Sequence, residues 1–185
     1  EILDDEFQMR HRRNPIHHMQ SRLKTIQSML EKLKRKNYEV SINSAVKNLQ
    51  DIAGIRVICS YVQDVYTIAN LLVSQDDVHL VRMADYIREP KPNGYRSLHL
   101  IVEIPVFLSE GRILVPVEVQ IRTIAMDFWA SLEHSLRYKA QEYIPQHISD
   151  ELQRVATDIA SLDQRMQAIH DQVDELSDAH GDSAT

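Results

Sequence analysis

The sequence predicts an α/β fold, of the α+β kind, with a sheet flanked by helices and a long C-terminal heptad helix. Three stretches carry that expectation. Residues 115–122 alternate strictly, placing Val115, Val117, Val119 and Ile121 on one face and Glu118, Gln120 and Arg122 on the other, as a strand of period two requires. Residues 51–61 form an apolar, β-branched run, followed by a helical pattern over 62–75 in which Val65, Ile68, Ala69 and Leu72 share one side. Leu152, Val155, Ile159, Leu162, Met166, Ile169, Val173 and Leu176 step alternately by three and four, which is the a/d seam of a heptad helix.

The other elements follow in order. Residues 1–14 are charged and weakly patterned, an N-terminal helical arm. Ile16, Met19, Leu23, Ile26, Leu30 and Leu33 recur at helical spacing up to Lys34-Arg35-Lys36, so periodicity alone predicts one long helix there. Residues 41–49 read as a short helix and 78–83 as a strand. Pro90, Pro92 and Gly94 mark a loop over 88–96. Residues 97–104 alternate again, with Leu98, Leu100, Val102 and Ile104 opposite Ser97, His99 and Glu103; a turn containing Ser109, Glu110 and Gly111 joins them to 115–122 as a hairpin. Residues 123–139 are amphipathic through Ala125, Phe128, Trp129, Leu132 and Leu136. These elements divide the chain into an arm (1–14), a main domain (15–140), a C-terminal helix (141–177) and a disordered tail (178–185). The heptad seam packs either on its own domain or on another subunit, and its acidic outer face favours the subunit contact.

A chain of 185 residues that is 43% hydrophobic can bury one substantial core. The formal charge of -6 argues against a general nucleic-acid coat. The charge is uneven, however: residues 22–36 hold six cations against Glu31, whereas 150–182 hold nine acids against Arg154 and Arg165, so a local anion site remains open. The lone cysteine, Cys59, lies among Val57, Ile58 and Tyr61 and reads as a small buried hydrophobe. No run is apolar enough to span a membrane and no signal peptide is visible, which predicts a cytoplasmic protein.

Only four glycines occur, and neither a Gly-x-x-x-x-Gly-Lys nor a Gly-x-Gly-x-x-Gly loop, so a phosphate site here has to use side-chain cations. Arg22, Lys24, Lys32, Arg35 and Arg56 supply them, although the segment holding the first four also reads as a solvated helix face. Lys91-Pro92-Asn93-Gly94-Tyr95-Arg96 adds two cations beside an aromatic ring that could stack on a base. Asp51 and Glu118 belong to two different strand segments, and one or two carboxylates are what Mg²⁺ takes from a protein. Strict parity would put Asp51 and Arg56 on opposite faces, so either Asp51 precedes its strand or Gly54 marks a bulge. The other histidines have no metal-ligand spacing.

Asp51-Ile52-Ala53-Gly54-Ile55-Arg56, Asp85-Tyr86-Ile87, Lys91-Pro92-Asn93-Gly94-Tyr95-Arg96-Ser97-Leu98-His99 and Glu118-Val119-Gln120-Ile121-Arg122-Thr123 together resemble the synthetase domain of the RelA/SpoT-homologue family. Ala125-Met126-Asp127-Phe128-Trp129-Ala130 and Glu133-His134-Ser135-Leu136 are similar to its single-domain branch, the small alarmone synthetases. The resemblance implies a mixed five-stranded sheet flanked by helices, a nucleotidyltransferase-like synthetase fold, with a strand near 16–24 and the following helix starting at Thr25. It further implies transfer of the β,γ-pyrophosphate of ATP to the ribose 3′-hydroxyl of GDP or GTP, giving ppGpp or pppGpp and AMP. By this likeness Asp51 and Glu118 would hold Mg²⁺, with Glu118 also the candidate base. Arg22 and Arg56 would sandwich adenine, and Lys24, Lys32 and Arg35 would neutralise the ATP phosphates. Tyr95 would stack on guanine, with Lys91, His99, Gln120 and Asp127 on the acceptor side.

The terminal helices of single-domain members mediate assembly, commonly as tetramers, so a homotetramer is expected. The length leaves no room for the hydrolase and ribosome-sensing domains of long members, which predicts synthesis without hydrolysis. Ala84 departs from the family pattern at a position linked to acceptor preference, which leaves the choice between GDP and GTP open; Ser21 also departs, as does Asp127 where a neutral amide can occur, which bears on the acceptor contacts. The rival reading is a catalytically silent nucleotide- or RNA-binding module that keeps the pocket, and the intact Asp51 and Glu118 argue against it.

Overall fold

Thr25 separates the first strand from the first helix. Its side-chain oxygen accepts from the Ser28 amide at 3.3 Å, capping the helix start, while one residue earlier the Lys24 amide donates to Ile52 O at 2.8 Å. The computed structural model describes residues 13–109, 111–140 and 144–181. Its elements are β1 (Ile16–Leu23), α1 (Ile26–Arg35), α2 (Ile42–Asn48), β2 (Ala53–Cys59), α3 (Val62–Val73), β3 (His79–Asp85), β4 (Leu98–Leu108), β5 (Gly111–Thr123), α4 (Ile124–Lys139) and α5 (Gln146–Gly181). The single long helix that periodicity suggests from residue 16 is therefore wrong, and the strand implied by the family likeness is present. β1 pairs with β2 through most of its length, and that edge pairing overrides the helical spacing of its apolar residues.

The sheet is mixed, in the order β1-β2-β5-β4-β3, with β2 and β5 parallel and the other neighbours antiparallel. The β4–β5 hairpin thus fills the space between β2 and the distant edge strand β3. On one face Val57, Cys59, Leu98, Leu100, Val102, Val117, Val119 and Ile121 pack against Val65, Ile68 and Ala69 of α3. Cys59 is fully buried there, and desolvation pushes its thiol up to about 12, so it is a packing residue. A second small core, Leu33, Ala45 and Leu49, locks α1 to α2 and fixes the chain just before β2.

Helix α5 does more than the heptad seam suggests. Its inner face, centred on Ala156 with Leu152 and Ile159, packs on Trp129 and Ala130 of α4 and on Tyr95, and Trp129 Nε1 donates to Leu152 O at 3.0 Å. Thr123 donates to Asp163 Oδ2 at 2.6 Å in a buried contact, and burial raises the Asp163 carboxyl. The seam residues Val155, Leu162, Met166 and Ile169 instead face outward. The helix continues to Gly181, so residues 178–181 of the expected disordered tail are helical; residues 182–185, and 1–12 of the expected arm 1–14, lie outside the described residues, while residues 13 and 14 are not helical. Among the described residues, no helix is long and apolar enough to cross a membrane.

Candidate active site

Strand register assembles the site. Gln20, Arg56, Gln120 and His99 lie in one row across β1, β2, β5 and β4, and Arg22, Gly54 and Glu118 form the adjacent row. All these positions share the sheet face opposite the α3 core. A cavity of about 170 Å³ opens on them, lined by Gln20, Arg22, Gly54, Ile55, Arg56, Glu118 and Gln120. Gly54 keeps its floor low between Arg22 and Glu118. The β2–β5 register runs unbroken from Ala53 to Cys59, so Asp51 precedes the strand and no bulge is present at Gly54.

Asp51 belongs to a neighbouring cavity of about 230 Å³, lined with Lys24, Ser28, Glu31, Lys32 and Arg35. Its Oδ2 accepts from Lys24 Nζ at 2.8 Å and Lys32 Nζ at 2.6 Å. Burial opposes its charge, but the two lysine hydrogen bonds outweigh it, and the carboxyl lies below its ordinary range. Its other oxygen, Oδ1, is buried with no hydrogen-bond partner. An acceptor left unsatisfied in this way is costly unless something positive meets it. The Asp51 charge also reaches Glu118, where it opposes ionisation; the approach of His99 is the largest influence and holds the Glu118 carboxyl low. Among the described residues no three His, Cys, Asp or Glu side chains gather into a ready-made cation cage, so a cation here would have two carboxylates at most.

The side chains around Tyr95 form a continuous network. Glu118 Oε2 accepts from Gln120 Nε2 at 3.0 Å, and Oε1 lies 3.6 Å from His99 Nδ1, just beyond hydrogen-bond length. His99 Nε2 lies 2.8 Å from the Tyr95 hydroxyl. Lys91 Nζ stands 4.6 Å from the Tyr95 ring centroid and 4.5 Å from that of Tyr86, and desolvation lowers its pKa. Asp127, in the first turn of α4, sits 3.0 Å from Arg122 and 3.7 Å from Arg56. Arg56 is shifted down by burial and by the neighbouring Arg122 charge.

Of the candidates from the sequence, Arg22, Arg56, Glu118 and Gln120 line one cavity, Lys24, Lys32, Arg35 and Asp51 line the other, and Lys91, Tyr95, His99 and Asp127 join the first through side-chain contacts. Sequence reasoning left out Arg122, Tyr86 and Gln20. Strand parity was the available signal for Arg122 and Gln20, since both fall on the Glu118 face of their strands. Tyr86, whose ring meets His99 edge-on at 5.1 Å, carries no such signal.

The loop bearing Tyr95 is docked on the two last helices. Asn93 Nδ2 donates to Glu133 Oε1 at 3.0 Å, Asn93 Oδ1 accepts from the Tyr95 amide at 3.2 Å, and Gly94 takes φ +90° directly against α5. A Cβ at Gly94 would come within 2.5 Å of Ala156 Cβ. Gly94→Ala is therefore expected to destabilise the protein by about 1–3 kcal/mol, from left-handed strain and overpacking together. Urea unfolding measures the loss, and the aromatic signal of Trp129 reports loosening of the loop from α5.

Sheet order, polar rows and paired cation-lined cavities define a class: a mixed-sheet α/β protein with an open, cation-bearing sheet face around Glu118 and a second cation-lined cavity around Asp51. The sequence of residues 21–143 matches the region found in RelA / SpoT proteins. The chain is 46% identical to GTP pyrophosphokinase YwaC of Bacillus subtilis, over 94% of this chain and 82% of that protein, and 40% identical to GTP pyrophosphokinase YjbM of the same organism, over 90% and 77%. It superposes on the crystal structure of small alarmone synthetase 2 from B. subtilis with a TM-score of 0.84, at 44% identity, covering 92% of this chain and 88% of that one. Small alarmone synthetase 1 from B. subtilis, bound to its product pppGpp, gives a TM-score of 0.84 at 38% identity, covering 92% and 86%. The chain belongs to the RelA/SpoT family, on its small alarmone synthetase branch.

Proposed function

We propose that this chain is a GTP/GDP pyrophosphokinase: it moves the β,γ-pyrophosphate of ATP to the ribose 3′-hydroxyl of GDP or GTP, releasing AMP and ppGpp or pppGpp. One observation carries the reading. A cation-lined cavity holds Glu118 with Arg22 and Arg56, a second holds Asp51 with Lys24, Lys32 and Arg35, and the aromatic network of Tyr95 and His99 adjoins Glu118. Relatives named GTP pyrophosphokinase and a related synthetase solved with pppGpp support the substrate class.

In this reading Arg22 and Arg56 hold adenine from two sides, while Lys24, Lys32 and Arg35 take the donor phosphates. Tyr95 stacks on guanine; Lys91, His99, Gln120 and Asp127 complete the acceptor side. Glu118 accepts the proton of the 3′-hydroxyl. The orphaned Asp51 Oδ1 and the acceptor-only chemistry of both carboxylates suit Mg²⁺, which takes one or two protein carboxylates and fills its shell with water and phosphate oxygens. Asp51 and Glu118 would hold it, and it would supply neutralisation of phosphate charge. What the protein contributes beyond that is in-line positioning and preorganised cations, the main requirement of phosphoryl-type transfer.

Incubating the protein with Mg²⁺, ATP and either GDP or GTP is expected to yield AMP and a 3′-pyrophosphorylated guanosine; binding without product would favour the silent module instead. Tyr95→Ala is expected to lower kcat/KM for the acceptor by about 1–3 kcal/mol, the worth of one aromatic stacking platform, with little change in KM for ATP. Unequal loss for the two nucleotides would separate the acceptor role from a general folding defect. We further propose that the enzyme works in the cytoplasm as a homo-oligomer, a tetramer by family likeness, joined through the outward stripe of Leu162, Met166 and Ile169 on α5. Leu162→Asp combined with Ile169→Asp is expected to lower the sedimenting mass.

A further inference from the structure

Glu118 accepts a hydrogen bond at Oε2 and faces His99 Nδ1 at 3.6 Å from Oε1, and both contacts lead back to one nitrogen. Arg122 Nη2 donates to Gln120 Oε1 at 2.9 Å and to the Tyr95 hydroxyl at 2.5 Å. Gln120, with its oxygen so engaged, turns its amide nitrogen to Glu118 Oε2 at 3.0 Å. The second arm runs through Tyr95 and His99. A guanidinium only donates, so the phenol oxygen must accept from Arg122 and its own hydrogen must go elsewhere. His99 Nε2, 2.8 Å away, is the acceptor in reach. An Nε2 that accepts carries no proton, which puts the proton of the neutral ring on Nδ1, and Nδ1 faces Glu118 Oε1. A carboxylate also needs a donor there, so both ends of the imidazole demand the same tautomer.

We infer that Arg122 is a positioning residue for Glu118: one arm through Gln120 and a second through the Tyr95 hydroxyl and the Nδ1–H tautomer of His99 aim the carboxylate at the acceptor hydroxyl. Arg122 is itself fixed. Its side chain is 5% exposed, and Nη1 donates to Asp127 Oδ1 at 3.0 Å. The His99 ring is clamped by Tyr86 at 5.1 Å and Tyr95 at 5.7 Å, both edge-on. The other charged groups around the network are Lys91, Arg56 and Asp51. The inference rests on Glu118 being the base of the proposed reaction.

The test is ¹⁵N NMR of His99 in the nucleotide-free protein at a pH of about 8.5, where an ordinary imidazole is neutral, together with kinetics. The expected result is an Nδ1–H ring in the wild type and a shift toward Nε2–H in Tyr95→Phe and in Arg122→Lys. kcat is expected to fall about 10- to 100-fold in both, the usual cost of losing a supporting partner. In Tyr95→Phe the acceptor KM stays near the wild-type value because the ring remains. An Nε2–H or doubly protonated His99 in the wild type overturns the inference, as does Tyr95→Phe with an unaltered tautomer or unaltered kcat. Should Arg122→Lys fail to fold, Tyr95→Phe decides, since it removes a single oxygen. The spectrum needs no turnover: an inactive wild type with Nδ1–H His99 would remove the pyrophosphokinase reading and leave the two arms from Arg122 standing.

Discussion

Glu118→Gln is expected to lower the rate of pyrophosphate transfer roughly 10³-fold while leaving the fold intact. The residue lies on β5 between the buried Val117 and Val119, but its own side chain points into the open cavity. Glutamine matches it in shape and can still meet Gln120, so the expected change in unfolding free energy is under about 1 kcal/mol, the worth of one ordinary hydrogen bond. The rate is another matter. An amide cannot take the proton of the 3′-hydroxyl, and positioned general bases contribute about 10²–10⁴. The loss should appear in kcat, because the nucleotide-binding cations are untouched. Product formation within tenfold of wild type, in a variant with normal thermal unfolding, would take Glu118 out of the proton-transfer role.

The legible part of this site is the part written in strand parity. Alternation over residues 115–122 separates Val117, Val119 and Ile121 from Glu118, Gln120 and Arg122, and burial divides the first five of these as expected, with Glu118 and Gln120 only partly buried. Arg122 breaks the pattern: it is nearly as buried as the core valines, because Tyr95, Gln120 and Asp127 close over it. Those partners come from a loop 27 residues away, from its own strand and from the next helix. No local pattern holds that information.

β1 fails for the opposite reason. Met19, Leu23 and Ile26 fit a helical stripe, yet Leu23 and Ile26 are 78% and 73% exposed, so the spacing did not report a packed face. Only pairing with β2 decides that this segment is extended.

Helix α5 is intermediate. Its heptad stripe is visible in sequence and Leu152 and Ile159 of that stripe do pack inward, but the buried Ala156 and Asp163 lie one position off it, one small and one charged. Neither contributes to a hydrophobic period. They matter because Ala156 meets Gly94 in the Tyr95 loop and Asp163 holds Thr123, the cap of α4, whose first turn carries Asp127. The terminal helix therefore braces the Tyr95 loop and the first turn of α4 from behind, while Leu162, Met166 and Ile169 of its outer stripe stay exposed.

Asp51→Asn is expected to be as damaging to turnover as Glu118→Gln, and more damaging to stability. Lys24 and Lys32 both spend a hydrogen bond on Asp51 Oδ2, with side chains only 11% and 21% exposed. An asparagine leaves two ammonium groups converging on a neutral amide, at an expected cost of about 1.5–3 kcal/mol for a charged hydrogen bond lost. The pH dependence gives the cause away. The folded carboxyl lies below its ordinary 3.8, so wild type gains stability from its ionised form above that value and loses it as pH falls through the folded one. Urea unfolding of wild type and variant should accordingly show a gap that is constant near neutrality and closes only in acid, once the wild-type carboxyl is also neutral. A gap that persists unchanged below the folded value would mean the asparagine disturbs packing instead. In that case the accompanying loss of turnover would say nothing about the charge of Asp51. If the gap closes and turnover is still lost at neutral pH, turnover needs the charge of Asp51 itself, the same charge that Lys24 and Lys32 converge on.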